Sequence, residues 1–480
     1  MKLRAIVLLV LVALSAQLFA GTGRIIIVNI DAPGVGFNDP TPRAPIGGNN
    51  GTTLGQQRLN VFLAAAEGWR KYIDTNVDIV ASASFRDIAG CTETAGILGQ
   101  ASPASWRENF PGAPKANVLY PIALANKFAG TDLEAGTADI SVQFNAGVDN
   151  ATCLGASSWY YGFDGKEGGD VDLYTVVSHE LGHGLGIAGA AIAPAFVNNH
   201  PSAFDVHVFD RTLGLRWDQM TLEQRRVSMT NTGNLVWDGA AARAAVSKAL
   251  DPLKTLTITE PSSLARNYDV GFADFGGATE NMTGRIVRAT DAANTDGPTV
   301  NDGCSVFTNA AAIQGNVALV DRGSCTFLIK ARNAQAAGAT GMIIADRAES
   351  YTPTNPATCL PPGMHGEDAG DVTIPIISVG INDGNALKGT LTNADSVLRG
   401  LLREDPTQRA GASVEGYPRL YAPCVLQAGS SIYHWDTTAT PNLLMEPAIN
   451  DDLTHDPDLT LQQLIDLGWT SRQGRQFLKR

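Results

Sequence analysis

His179 and His183 stand four residues apart with Glu180 between them, inside an apolar run from Val171 to Gly186 that also carries Val176, Val177, Leu181 and Leu185. On a helix, positions i and i+4 share one face a turn apart, so both imidazoles can reach a single ion while the glutamate stands beside them. The pattern therefore predicts a helix over 171–186. These groups are what metal-assisted hydrolysis needs, with Glu180 placed to take a water's proton and pass it to a leaving amine. The bland alternative is a chance His-Glu-x-x-His on an ordinary amphipathic helix. Two imidazoles leave a catalytic zinc one protein ligand short of its usual three. The fold must deliver the third, and by residue type the candidates are His200, Asp205, His207, His365, His434 and His455.

Gly186 extends the motif to H-E-x-x-H-x-x-G, which resembles the metzincin zinc peptidases, where that glycine permits a sharp turn at the helix end. Most metzincins place a third histidine three residues after the glycine. Here that place is Gly189, so the ligand has to come from far along the chain. The stretches Ser431-Ile432-Tyr433-His434-Trp435-Asp436 and Pro441-Asn442-Leu443-Leu444-Met445-Glu446-Pro447 resemble the leishmanolysin-type metzincins. In that group an insertion separates the zinc helix from a His-Trp-acidic motif, which lies shortly before a leucine-methionine pair. The resemblance implies one catalytic Zn2+ held by His179, His183 and His434, with Glu180 as general base and acid and Met445 in a tight turn beneath the metal. A plain core methionine is the ordinary alternative for Met445. His200 otherwise reads as a surface histidine and His207 as a strand residue. A glutamate-ligand arrangement lacks an E-x-x-x-D partner downstream. Tyr433 offers packing or a contact to a transition-state oxyanion, packing being the plainer reading.

The 480 residues suffice for two or three domains with real cores. Arg24 to Ile30 reads as a buried strand, and Leu59, Phe62, Ala66, Trp69 and Ile73 recur at helical spacing from Thr52 onward. Val77 to Phe85 alternates as a strand. Further strands are expected at Asn117 to Ile122 and at Ala138 to Asn145, the latter as a half-exposed edge strand. From about 276 to 402 short strands alternate with helices. The run from Asn316 through Val-Ala-Leu-Val-Asp-Arg-Gly-Ser to Cys325-Thr326-Phe327, continuing through Lys330, Asn333, Ala334 and the strand Gly341 to Asp346, resembles a protease-associated (PA) domain, a non-catalytic module that affects substrate access. The expected fold is α+β: a metzincin-like zinc peptidase domain of mixed twisted sheet and helices (21–275 and 403–480), interrupted by an α/β PA domain (276–402). Metzincins place an edge strand along the cleft, so protein or peptide substrates are expected to bind by strand addition, with endopeptidase action.

Residues 1–20 read as a secretory signal peptide, with Lys2 and Arg4 before an apolar run too short to span a bilayer. A secreted or periplasmic protein is expected, with no membrane association after cleavage. The first core strand follows closely, which leaves little room for an N-terminal prodomain. The surplus of acidic over basic side chains, net charge -13, argues against nucleic acid as a partner. Six cysteines, Cys91, Cys153, Cys304, Cys325, Cys359 and Cys424, fit an oxidising compartment. Proximity along the chain favours 91 with 153 and 304 with 325, leaving 359 with 424, while Cys91 as an inhibitory zinc thiolate is the minor alternative. Asn50, Asn150 and Asn281 fit the glycosylation pattern. The acidic stretch 450–458 reads as a solvated loop or, less ordinarily, a Ca2+ site. The different functional class to weigh is a non-catalytic protein-binding module on a peptidase scaffold, for which an intact Glu180 has no use.

Overall fold

The computed structural model describes residues 23–472, except 94, 156, 192, 278–281, 324, 351–358, 365, 367–369, 393–395 and 451–452. The signal segment, Asn281, His365, Asp451 and Asp452 lie outside the described residues. A four-stranded sheet runs in the order Ile25–Asn29, Ile79–Arg86, Ile140–Asn145, Gly99–Pro103, the first three parallel and the last antiparallel. Ile79, Ala81, Ala83 and Phe85 alternate with Ile140, Val142 and Phe144 into one buried face. The helices Leu54–Tyr72 and Leu173–Gly184 cover it: Phe62 meets Phe144 edge-on at 5.4 Å, and Gly184 lies so close to Ile140 that a β-carbon there would overlap its side chain. The Trp69 indole N–H donates to the Ser178 carbonyl at 2.9 Å and fixes the two helices to each other.

Three expectations change. The first strand is not buried but lies at the sheet's end, with Val28 and Ile30 exposed by 42% and 51%. The expected 138–145 strand, observed as Ile140–Asn145, is interior rather than an edge, because Gly99–Pro103 takes the outer place. Alternation reports that one face of the sheet is covered, and an interior strand of such a sheet alternates as an edge strand does. Only Tyr120–Pro121 of the 117–122 stretch is strand, and Ile122–Ala129 is helix.

A second sheet of eight strands runs in the order Asn267–Tyr268, Pro252–Glu260, Arg399–Arg409, Thr283–Arg288, Val317–Asp321, Gly341–Ala345, Ile376–Val379, Gly271–Phe272. Its four strands from Thr283–Arg288 to Ile376–Val379 are parallel, and Val317–Asp321 and Gly341–Ala345 are buried at every residue, as strands covered on both faces must be. The sheet reaches beyond 276–402 at both ends. Its entry strand Pro252–Glu260 pairs antiparallel with its exit strand Arg399–Arg409, and Ala410 N–H donates to the Asp251 carbonyl. The chain thus leaves this module beside where it entered, so the flanking parts can close on each other across the insertion. Disulfides join Cys91 to Cys153, Cys304 to Cys325 and Cys359 to Cys424, and Cys91 is therefore not a zinc thiolate. The last of these ties the inserted module to the segment leading to His434. No described helix is long and apolar enough to cross a membrane.

Candidate metal centre

Asp172 caps the helix that carries the two histidines. Its carboxylate accepts the N–H groups of Tyr174 at 3.2 Å and Thr175 at 3.1 Å, two of those a helix start leaves open. The His455 ring stacks on Tyr174 at 3.9 Å, and its Nε2 lies 2.9 Å from the same carboxylate. The helix spans Leu173–Gly184, two residues short of the expected range at each end.

His179, His183 and His434 converge. The Nε2 of His179 stands 3.1 Å from that of His183 and 3.3 Å from that of His434. Each ring is held at its other nitrogen by a backbone carbonyl 2.7 Å away: Leu444 for His179, Ile187 for His183, Ser430 for His434. A carbonyl only accepts, so each Nδ1 carries the proton and each Nε2 turns a lone pair toward the others. Lone pairs facing at this range repel, and a cation among them removes the conflict. A tetrahedral ion with bonds of roughly 2.0–2.1 Å to nitrogen holds its ligand atoms about 3.3 Å apart, so this donor set fits Zn2+. Among the described residues, no other group of three or more His, Cys, Asp or Glu side chains could share an ion.

Burial sets the charges here. It pushes His179 down to about 3, with His183 adding to the effect, and holds His434 well below the usual imidazole range and His183 below it as well. At these three rings the unfolded chain therefore takes up protons below about pH 6.5 that the metal-free fold refuses, so their contribution to stability is lost as pH falls through that range. The raised buried carboxyls of Glu180, Asp139 and Asp205 contribute in the opposite sense over the same range, so the imidazole contribution is read as a difference: between about pH 7 and 5.5 metal-free wild type should lose more stability than metal-free His434→Ala in parallel melts. Parallel pH profiles for the two proteins would contradict a buried neutral imidazole at His434.

The Glu180 carboxyl is pushed up to about 8 by burial, opposed by the Ala101 N–H that donates to it. Its Oε2 is buried and has no hydrogen-bond partner. A cation among the three imidazoles would favour the ionised form of this carboxyl, whose one free oxygen could then accept a proton from a molecule seated beside it. Ala101 belongs to the antiparallel edge strand, and a β-carbon on Gly99 would stand 3.0 Å from Glu180 Cγ. The edge strand and Glu180 are therefore in direct contact.

Gly186 adopts φ +128°, and a β-carbon there would meet Pro121 Cγ at 3.1 Å. The turn brings the Ile187 N–H onto the Gly182 carbonyl and sets the Ile187 carbonyl on His183 Nδ1. Gly186→Ala should lower stability by roughly 1–3 kcal/mol through backbone strain and weaken zinc binding roughly tenfold by disturbing that carbonyl. Urea melts and chelator competition check both.

Met445 is fully buried, and its sulfur lies against Gly182, between the two helix histidines. Its carbonyl accepts the Trp435 N–H at 2.7 Å. A side chain at Gly189 would collide with the Tyr433 hydroxyl, so the place where most metzincins are expected to supply their third histidine is filled here by a tyrosine that also packs on Phe204. The other candidate ligands lie elsewhere: His200 pairs with Glu108, His207 packs on Trp237, Asp205 accepts the Ser202 N–H, and His455 bonds Asp172. Asp456 and Asp458, from the acidic stretch, bond to Tyr72 and to backbone N–H groups respectively. Sequence reasoning missed the carbonyls of Leu444, Ile187 and Ser430 and the Ala101 N–H, which no side-chain pattern announces. Asp172, followed three residues later by the helix interior, was open to recognition as a cap.

Residues 282–387 match the PA domain family, and the inserted module contains a PA domain. The chain is 42% identical over 85 residues to ER degradation-enhancing alpha-mannosidase-like protein 3 of Xenopus laevis, covering 18% of this chain and 9% of that protein. It is 30% identical over 150 residues to vacuolar-sorting receptor 1 of Pisum sativum, covering 30% and 22%, and 38% identical over 77 residues to aminopeptidase YwaD of Bacillus subtilis (strain 168), covering 16% and 15%. The chain thus spans less than a quarter of the length of each of these relatives. Among solved structures, the zinc aminopeptidase BSAP from Bacillus subtilis is similar at 21% identity and a TM-score of 0.21, over 34% of this chain and 36% of that one. A likeness of that size carries no argument about the remaining fold. The structure as a whole is mixed α/β with a PA domain.

Proposed function

We propose that the chain is an exported zinc endopeptidase of the leishmanolysin-like metzincin type, its peptidase part split by the PA-containing module. One observation carries this reading: three Nε2 lone pairs face one another beside a buried carboxylate with an unpartnered oxygen. His179, His183 and His434 would hold the ion. Bound there, Zn2+ supplies Lewis acidity to a scissile carbonyl and to a water. Glu180 accepts the water's proton at Oε2 and returns it to the leaving amine. Met445 and Gly186 shape the floor and the end of the helix.

The Gly99–Pro103 strand, at the outer position of its sheet and against Glu180, is the edge to which an extended peptide would add. Main-chain pairing along an edge needs no free chain terminus, which favours internal cleavage with modest side-chain selectivity. The PA domain would act on substrate access rather than chemistry, and three disulfides suit an oxidising, extracytoplasmic setting. Purified protein should hydrolyse casein, lose that activity to a chelator and regain it with stoichiometric Zn2+. A protein that holds one zinc and leaves casein and a panel of internal peptides intact would instead be the non-catalytic binding module.

A further inference from the structure

The last described helix, Leu459–Leu467, is capped by Asp458, whose two carboxylate oxygens do different jobs. Oδ1 accepts the Thr460 N–H at 2.8 Å, an ordinary cap. Oδ2 accepts the Leu444 N–H at 2.5 Å, from a residue fourteen positions earlier. The carbonyl of that same Leu444 holds His179 Nδ1, and the next carbonyl, Met445, holds the Trp435 N–H beside His434. Thr460 adds a second tie, its hydroxyl accepting the Trp435 indole N–H at 3.2 Å. One end of the last helix is thus bonded to the turn that orients His179 and to the residue next to His434. A carboxylate bonded to a backbone N–H is a charge-assisted clamp, stronger than a neutral one.

We propose that Asp458, with Thr460 beside it, is a positioning residue that fixes the register of the Leu444–Met445 turn and, through it, the Nδ1 partner of His179. The inference rests on the zinc-site reading above. When the Leu444 carbonyl drifts, the His179 Nδ1–H loses its acceptor, and the ring loses both its orientation and part of its basicity toward the ion.

Asp458→Ser separates the two jobs: serine caps a helix well but offers a single, shorter oxygen that cannot also reach Leu444. Asp466→Ser is the control, a carboxylate on the same helix that bonds the Ala241 and Ala242 N–H groups and Trp237 rather than the Leu444–Met445 turn. Chelator competition on the full chain should show Asp458→Ser raising the Zn2+ dissociation constant roughly 10–100-fold, the range seen when an outer partner of a metal ligand is lost. The d–d absorption bands of the Co2+-loaded protein should shift with it. Asp466→Ser should lose stability and change neither readout. Wild-type zinc affinity and an unchanged Co2+ spectrum in Asp458→Ser would overturn the proposal, as would equal changes in Asp466→Ser. Should Asp458→Ser not accumulate as folded protein, Thr460→Val decides by the same two readouts. Wild type that takes up no zinc, or His434→Ala that binds it as wild type does, would sink the zinc-site reading itself, a pattern distinct from either result.

Discussion

Glu180→Gln should bind close to one equivalent of zinc and remain folded, yet lose about 10²–10⁴ of its peptide hydrolysis. Glutamine keeps the shape of the side chain and the oxygen that meets the Ala101 N–H, while it cannot take up a proton at neutral pH. Burial opposes the charged carboxylate at this position, so removing the charge costs the fold little and the substitution should be neutral or mildly stabilising. The loss should fall on kcat with KM nearly unchanged, because the carboxylate acts on the proton in the transition state rather than on the bound peptide. A variant with wild-type kcat would remove Glu180 from the chemistry whatever the metal does.

His434→Ala is expected to have the largest effect on the metal. Only two lone pairs would then remain, both from one helix, and zinc affinity should fall by more than the roughly 100-fold that loss of an outer partner costs. Hydrolysis should drop to background at ordinary zinc concentrations. His200→Ala, His207→Ala and His455→Ala should each retain one equivalent of zinc, because none of these rings lies with the three. Zinc stoichiometry by atomic absorption after dialysis separates the four variants. If His207→Ala loses the metal and His434→Ala keeps it, the assigned third ligand is wrong.

Local features of the centre were open to reading from sequence because each is written in side chains over a short span. The helix over Leu173–Gly184 follows from the spacing of His179 and His183 within apolar residues, and the buried strands Val317–Asp321 and Gly341–Ala345 from unbroken apolar runs. The joining of His434 to the other two came from the resemblance of its flanking residues, since no local signal spans such a distance. What stayed hidden is carried by backbone. Gly99–Pro103 has weak strand formers and becomes a strand because Ile140–Asn145 offers it a ladder of partners. The carbonyls that fix the three imidazoles belong to residues whose side chains have no part in the site. The reach of the second sheet beyond 276–402 stayed hidden for a related reason: Pro252–Glu260 and Arg399–Arg409 are long strands that pair with each other across more than a hundred residues, a match that texture along the chain cannot register.

The central claim is that three imidazoles, one of them remote in sequence, hold a single zinc through Nε2 with one position left open. Zinc X-ray absorption on the purified full chain tests it most directly. The account predicts three nitrogen scatterers at roughly 2.0–2.1 Å with imidazole outer-shell features, joined by one light, exchangeable oxygen. A sulfur scatterer near 2.3 Å, fewer than three imidazoles, or a protein that takes up no zinc at all would contradict it.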